Sequence, residues 1–217
     1  MRYVINDCLI KTENAALSSH QTNAQVLKYI EILSTDINIL DFGCGKCRYS
    51  RQLNSKSKNL VLLDSEIQIS REQIICDVMT TVKDFAKTHL SNTSVYALEN
   101  AKDIDCKFDF ILCSNVLSAI PSTEDRISSL NHIKELLDKK GKALITVQYY
   151  NSYFNTYSKN PKTIEYNDGW LIPKGNDYTY YGIIKPLVLI EYCKKVGFII
   201  SDKYSNDGSI YLTVQKQ

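Results

Sequence analysis

Ile37-Asn38-Ile39-Leu40-Asp41-Phe42-Gly43-Cys44-Gly45-Lys46-Cys47 is the stretch on which the fold turns. Residues 37–42 form a short β-prone run, predicting a strand that ends at Gly43. A helix is expected from about Cys47 to Ser55. Glycines between a strand and a helix let the backbone turn sharply and come close to a ligand. Asp41 then stands at the strand's C-terminal end, where open α/β sheets place their ligands.

Downstream, Leu60-Val61-Leu62-Leu63 is an apolar run of buried-strand type that ends at Asp64, 23 residues beyond Asp41. An acid at the end of a second strand is well placed to accept both hydroxyl protons of a ribose. Residues 66–90 read as mostly helical, with Val95-Tyr96-Ala97-Leu98 as a third strand and Phe108–Cys113 as a fourth. A helix is expected over 123–139, stopped by Gly141, and then a fifth strand over Ala143–Val147. Upstream, residues 18–33 carry apolar side chains at three- and four-residue steps and predict a helix within an N-terminal helical segment of about 1–34. A further helix is expected around 187–196. Phe198–Ile200 and Ser209–Val214, joined at Asn206-Asp207-Gly208, predict a closing hairpin. Strands that alternate with helices imply right-handed crossovers. The expected fold is therefore α/β: a doubly wound, mostly parallel seven-stranded sheet with an antiparallel C-terminal hairpin. Residues 1–217 read as a single domain.

Composition narrows the class. Of 217 residues, 44% are hydrophobic and 23% charged, which suits an ordinary core and excludes collagen-like and wholly disordered chains. No apolar run approaches the length of a membrane span, and residues 1–7 lack the apolar stretch of a secretory signal, so a cytoplasmic location without membrane contact is expected. Lys and Arg number 26 against 24 Asp and Glu, a balance that neither demands nor forbids a nucleic-acid partner. Cys44-Gly45-Lys46-Cys47 is formally a C-x-x-C, but a redox reading leaves Asp41 and Asp64 unexplained. No second cysteine pair completes a zinc site, so no metal is expected. Lys46, Arg48, Arg51, Lys56 and Lys58 form a basic run, read as the solvated face of a helix rather than a phosphate clamp.

These residues resemble the class I S-adenosylmethionine-dependent methyltransferases. Asp41-Phe42-Gly43-Cys44-Gly45 is similar to their first motif, Asp64 to their acidic ribose ligand, and Phe108 to Leu117 to their fourth-strand motif. The hairpin resembles the reversed last strand of their Rossmann-like fold. The likeness covers roughly residues 35–217 and departs at Cys47, where many members carry a third glycine. It implies S-adenosylmethionine as cofactor, with Gly43, Cys44 and Gly45 along its methionine part and Asp41 near its ammonium. Asp64 would bind the ribose, Leu98 and Glu99 would neighbour the adenine, and Ser114 and Asn115 would border the methyl group.

Residues 149–181 lack a clear period but hold eight tyrosines, Phe154 and the single tryptophan, Trp170. An aromatic insert over about 149–184, following the fifth strand, is expected to cap the active site. Tyr149, Tyr150, Trp170, Tyr178 and Tyr181 are the expected contacts to a flat or cationic acceptor. Tyr153 belongs to the same group. A methyl transfer needs a base only where its acceptor arrives protonated, and His20, Tyr149 and Tyr178 are the candidates. The expected activity is methyl transfer to an O or N nucleophile of a small molecule by in-line displacement. The alternatives are a nucleic-acid or nucleotide methyltransferase linked to a modification or defence system, to which residues 115–126 bear a short similarity, or a non-catalytic cofactor-binding subunit.

Overall fold

The computed structural model describes residues 1–151 and 154–217; Tyr153 lies outside the described residues. The chain opens with strands β1 (Arg2–Ile5) and β2 (Cys8–Lys11) and a 3-10 turn, Thr12–Ala15. Helix α1 (Ala24–Glu31), strand β3 (Ile37–Phe42), helix α2 (Ser50–Asn54), strand β4 (Ser57–Asp64) and helix α3 (Glu66–Ser70) follow. Next come β5 (Gln73–Ile75), β6 (Val78–Thr80), α4 (Val82–His89), β7 (Thr93–Ala97) and β8 (Phe108–Ser114). Helix α5 (Thr123–Leu136) leads into β9 (Leu137–Gln148), α6 (Phe154–Lys159), β10 (Ile164–Tyr166), β11 (Gly169–Lys174) and β12 (Asp177–Gly182). Helix α7 (Pro186–Val196) and the hairpin of β13 (Phe198–Asn206) and β14 (Ser209–Lys216) close the chain.

Seven strands pair in the order β13-β14-β9-β8-β3-β4-β7, parallel where β8, β3, β4 and β7 meet and antiparallel at the hairpin. This is the doubly wound α/β sheet that the sequence predicts. The chain divides into two compact units, residues 16–112 and residues 1–15 with 113–217.

In the unit of residues 16–112, Ile39, Leu40, Leu60, Leu62 and Phe110 are wholly buried, each aliphatic side chain gaining about 1.5–3 kcal/mol over exposure. β3 has β4 on one side and β8 on the other, so chain direction away from it reverses there. Open α/β sheets bind ligands at such a reversal, and Asp41 and the glycines lie there, at the C-terminal end of β3.

Several expected elements are corrected in this unit. The helix expected over 18–33 is only α1, because the Asn23 side chain accepts the N–H groups of Gln25 and Val26 and caps it there. The helix expected from Cys47 begins instead at Ser50, since Cys47 holds a left-handed φ of 56°. Residues 66–90 are mostly helical, as α3 and α4, but the helix is interrupted. Cys76 and Asp77, both left-handed, turn β5 into β6 between the two helices, a tight hairpin flanked by β-branched residues.

In the other unit, the expected N-terminal helical segment is replaced at its start by a hairpin. Asn6 and Asp7, with φ of 50° and 60°, form its turn. The insert, read as aperiodic, supplies β10, β11 and β12, which join that hairpin in a five-stranded sheet ordered β1-β2-β12-β11-β10. Tyr178 pairs with Ile10 in a parallel step between β12 and β2, and Lys11 meets Asp177 at 2.6 Å. Ile10, Leu171 and Tyr180 are buried at its centre, with Tyr3, Tyr166 and Tyr178 packed around them. Gly141, expected to stop the preceding helix, instead lies inside β9, and α5 ends at Leu136.

Candidate functional site

The loop after β3 is pinned to the end of β4 through its own backbone. Gly43 and Cys44 both donate N–H bonds to the Leu63 carbonyl, at 2.7 and 3.2 Å. Gly45 donates to Asp64 Oδ2 at 2.9 Å. Gly43 and Gly45 take left-handed φ values of 75° and 55°, which a side chain would strain. Cys47, at the place of the family's third glycine, keeps a left-handed backbone too.

Three successive N–H groups thus point inward, and the loop does not present them to an anion as a phosphate-binding turn does. It presents carboxylates. Asp41 is 4% exposed, and its Oδ2 accepts the Ser50 hydroxyl at 3.0 Å. Burial raises its carboxyl to about 7, against the opposing pull of Ser50 and Arg48 and with a further push from Asp64. Asp64 is half-buried, and burial raises it as well, opposed by the N–H groups of Gly45 and Ser65. Its Oδ1 accepts Ser65 N–H at 2.8 Å. Each Asp64 oxygen holds one bond and keeps a second lone pair.

Glu99 belongs to the same place: its Oε2 accepts the Glu66 N–H, at 3.2 Å, at the start of α3. Leu98 is half-buried beside it in the 3-10 turn after β7. The structure therefore brings together Asp41, Gly43, Cys44, Gly45, Asp64 and Glu99. Cys44 and Cys47 are buried, and burial is the main cause holding both thiols far above their ordinary range, so neither is a thiolate nucleophile. Among the described residues no group of three or more His, Cys, Asp or Glu is placed to hold a metal.

His20 is exposed, its Nε2 3.0 Å from Asp77 Oδ1. The basic run is largely engaged. Arg48 lies over Tyr49, Arg51 over Phe85, and Lys56 donates to the Glu31 carbonyl at 2.7 Å.

In the other unit, Ser114 Oγ lies 3.1 Å from Thr146 Oγ1, and Asn115, with φ of 60°, donates its N–H to the Thr146 carbonyl. Tyr149 and Tyr150 both donate backbone N–H bonds to Gly208, and Tyr150 is 67% exposed. Trp170 and Tyr181 are cross-strand partners, and both rings meet Phe154 and Tyr157 at centroid distances of 5.4–6.5 Å. Tyr178 packs instead on the Ile10–Leu171–Tyr180 cluster.

Two groups escaped the sequence reading. Arg126, 1% exposed, forms a forked pair with Asp168 at 2.6 and 2.9 Å and donates to the Leu117 and Ile120 carbonyls. Gln68 reaches from α3 to the Gly45 carbonyl at 2.6 Å. Ser65-x-x-Gln68 has the spacing of a helix-capping box, the one signal that could have drawn attention to it.

Comparison with known proteins places this geometry among relatives. Residues 17–198 match the family model described as a methyltransferase domain. The uncharacterized protein YmfD of Escherichia coli is 36% identical over 99% of this chain and 96% of its own. An S-adenosylmethionine-dependent methyltransferase from Clostridium acetobutylicum superposes with a TM-score of 0.63 at 17% identity, over 90% of this chain and 93% of its own. The 1,6-didemethyltoxoflavin-N1-methyltransferase of Burkholderia thailandensis, solved with didemethyltoxoflavin and S-adenosylhomocysteine, gives 0.59 at 15% identity, over 95% and 78%.

Proposed function

The chain belongs to the methyltransferase-domain family, and on that premise we propose that it transfers a methyl group from S-adenosylmethionine to an O or N nucleophile of a small molecule in the cytoplasm. The observation that carries the donor half is the loop itself. Its N–H groups are turned inward, while two carboxylates keep accepting capacity. That donor set is wrong for a pyrophosphate and right for an ammonium joined to a hydroxyl-rich nucleoside. When bound, the donor supplies a methyl group already activated on a sulfonium, so no covalent catalysis is asked of the protein.

Asp41 is assigned the ammonium and Asp64 the ribose hydroxyls. Gly43, Cys44 and Gly45 line the methionine part, Leu98 and Glu99 flank the adenine, and Ser114 and Asn115 border the transferring methyl. The protein's task is then alignment and exclusion of water. Tyr149, Tyr150, Trp170, Tyr178 and Tyr181 are assigned to the acceptor. Where that acceptor carries a proton, His20, Tyr149 and Tyr178 remain the candidates to take it.

Two observations support a small acceptor over a nucleic acid. Three of the five basic side chains that a phosphate clamp would need are engaged within the fold. The Burkholderia neighbour is named for a small-molecule acceptor, 1,6-didemethyltoxoflavin, and aromatic side chains of the kind concentrated here suit a small acceptor that stacks.

The test is calorimetric titration with S-adenosylhomocysteine, followed by methyl-transfer assays over pools of small phenols, amines, heteroaromatics and nucleic acids. Donor binding with turnover on a small-molecule pool is expected. Turnover confined to nucleic acids would replace the acceptor proposed here, and donor binding without turnover on any pool would favour a non-catalytic subunit.

A further inference from the structure

Gln68 is a polar side chain buried to 1% exposure on a helix that borders the glycine loop. In a capping box it would reach back to the Ser65 N–H. That N–H is taken by Asp64 Oδ1 at 2.8 Å, while Ser65 Oγ still accepts the Gln68 N–H at 3.3 Å. The amide is thereby released to point away from its own helix. Its Nε2 donates to the Gly45 carbonyl at 2.6 Å and to Gln73 Oε1 at 3.0 Å, and Gln73 Nε2 returns a bond to the Gln68 carbonyl.

The orientation of the amide is settled by these partners. Flipping it would set its oxygen against the Gly45 carbonyl, and would leave the Gln73 amide to reorganise. As it stands, Gln68 Oε1 is buried with no partner among the described residues. An unpaired buried acceptor is destabilising, so the orientation is held for the two bonds that Nε2 makes.

Those bonds bear on Gly45. Its N–H is fixed by Asp64 Oδ2 and its carbonyl by Gln68, so the peptide groups on both sides of one glycine are gripped. A Cβ at Gly45 would meet only Ala16 Cβ at 3.5 Å and the Gly43 carbonyl at 4.0 Å, so side-chain crowding does not hold the glycine in place. A glycine otherwise moves readily between backbone basins. We propose that Gln68 is the positioning residue of the donor loop, holding Gly45 in its left-handed conformation so that Gly45 and the Asp64 carboxylate meet the donor in one arrangement. This role rests on the donor-site reading above.

The experiment titrates the full chain with S-adenosylhomocysteine as wild type, Gln68→Met, Asp64→Asn and the double variant. Thermal melting and hydrogen exchange over residues 43–46 are recorded without ligand. Gln68→Met keeps the side-chain volume and removes the donor. It is expected to weaken binding about tenfold, to speed exchange in the loop and to lower the melting temperature by only a few degrees, since two acceptors lose a donor while the unpaired Gln68 Oε1 is removed. The double variant is expected to lose less than the product of the single losses, because both variants act on the same glycine. Equal affinity of Gln68→Met and wild type, or losses that multiply in full, would overturn the role while leaving the donor site in place. Wild type that takes up no S-adenosylhomocysteine would remove the donor-site reading and this role with it. Should Gln68→Met fail to fold, Gln73→Met decides: weaker binding supports the role and unchanged binding overturns it.

Discussion

The glycine loop and the aromatic insert are both held by side chains reaching to distant residues, yet they commit their chemistry in opposite ways. In the loop the backbone is pinned and the carboxylates of Asp41 and Asp64 are left with accepting capacity. In the insert the rings of Phe154, Tyr157, Trp170 and Tyr181 touch one another. There the charged pair, Arg126 with Asp168, is turned to structure. A loop built that way loses two backbone anchors when Asp64 goes, but no buried charge is left unpaired. An insert built the other way loses its fold when the charge goes.

The sharpest test of that difference is Asp168→Ala. It leaves a guanidinium that is 1% exposed without its carboxylate. Breaking a buried pair from one side costs about 3–5 kcal/mol, and the lower end is expected because the Asp168 side chain is itself 33% exposed. Urea denaturation should show the loss, with the Trp170 fluorescence transition preceding the far-UV circular dichroism transition. Affinity of the remaining folded protein for S-adenosylhomocysteine should stay at the wild-type value. The mirror experiment is Asp64→Ala. Donor affinity should fall by about 1–3 kcal/mol, because ribose hydroxyls lose a charged acceptor, while the urea midpoint falls by less than in Asp168→Ala. A pair of results in which both variants damage both properties would erase the distinction.

Legibility in the sequence follows the same division. Asp41, Gly43, Gly45 and Asp64 were readable because strand ends and a glycine turn are local features, and local chemistry sets where their side chains lie. The parallel strands and the closing hairpin were readable for that reason as well. The hairpin of β1 and β2 was missed although Asn6-Asp7 is turn chemistry, because its stability comes from pairing with β12 some 170 residues later, between Ile10 and Tyr178. Gln68 was missed because a buried polar side chain declares itself only when its partner is known. The Arg126–Asp168 pair, 42 residues apart, was hidden likewise. The insert's tyrosines are plain in the sequence, but composition cannot tell a ring packed on its neighbour from one turned towards a ligand.

A smaller effect should separate the regions by pH. Asp41 titrates near 7 in the fold, above the ordinary carboxylate range, with Ser50, Arg48, Asp64, Cys44 and Cys47 around it. A raised pKa means the folded state binds the proton more tightly than the unfolded chain. Stability from this group is therefore greatest in acid and declines as pH rises from about 4 to about 7. Donor binding should run the other way, since an ammonium pairs with the ionised form. Affinity for S-adenosylhomocysteine should rise between pH 5.5 and 7, by at most about tenfold per unit, and then level off. Asp41→Asn should flatten that slope, and a slope that survives the substitution would take the ammonium away from Asp41.

The smallest expected signal comes from Trp170, the single tryptophan and hence an unmixed reporter of the insert. It is half-buried against Phe154 at 5.6 Å and Tyr157 at 6.2 Å. A ring so placed keeps a partly solvated edge, and its emission shifts when a flat molecule displaces water there. Saturating S-adenosylhomocysteine should change that emission by only a few per cent if the insert serves the acceptor alone. An accepted substrate should then quench or shift it further, and Trp170→Phe should raise the KM for that substrate while leaving kcat and the donor KM alone. Strong quenching by S-adenosylhomocysteine itself would mean that the aromatic insert answers to the donor, and the acceptor would have to be sought at other residues.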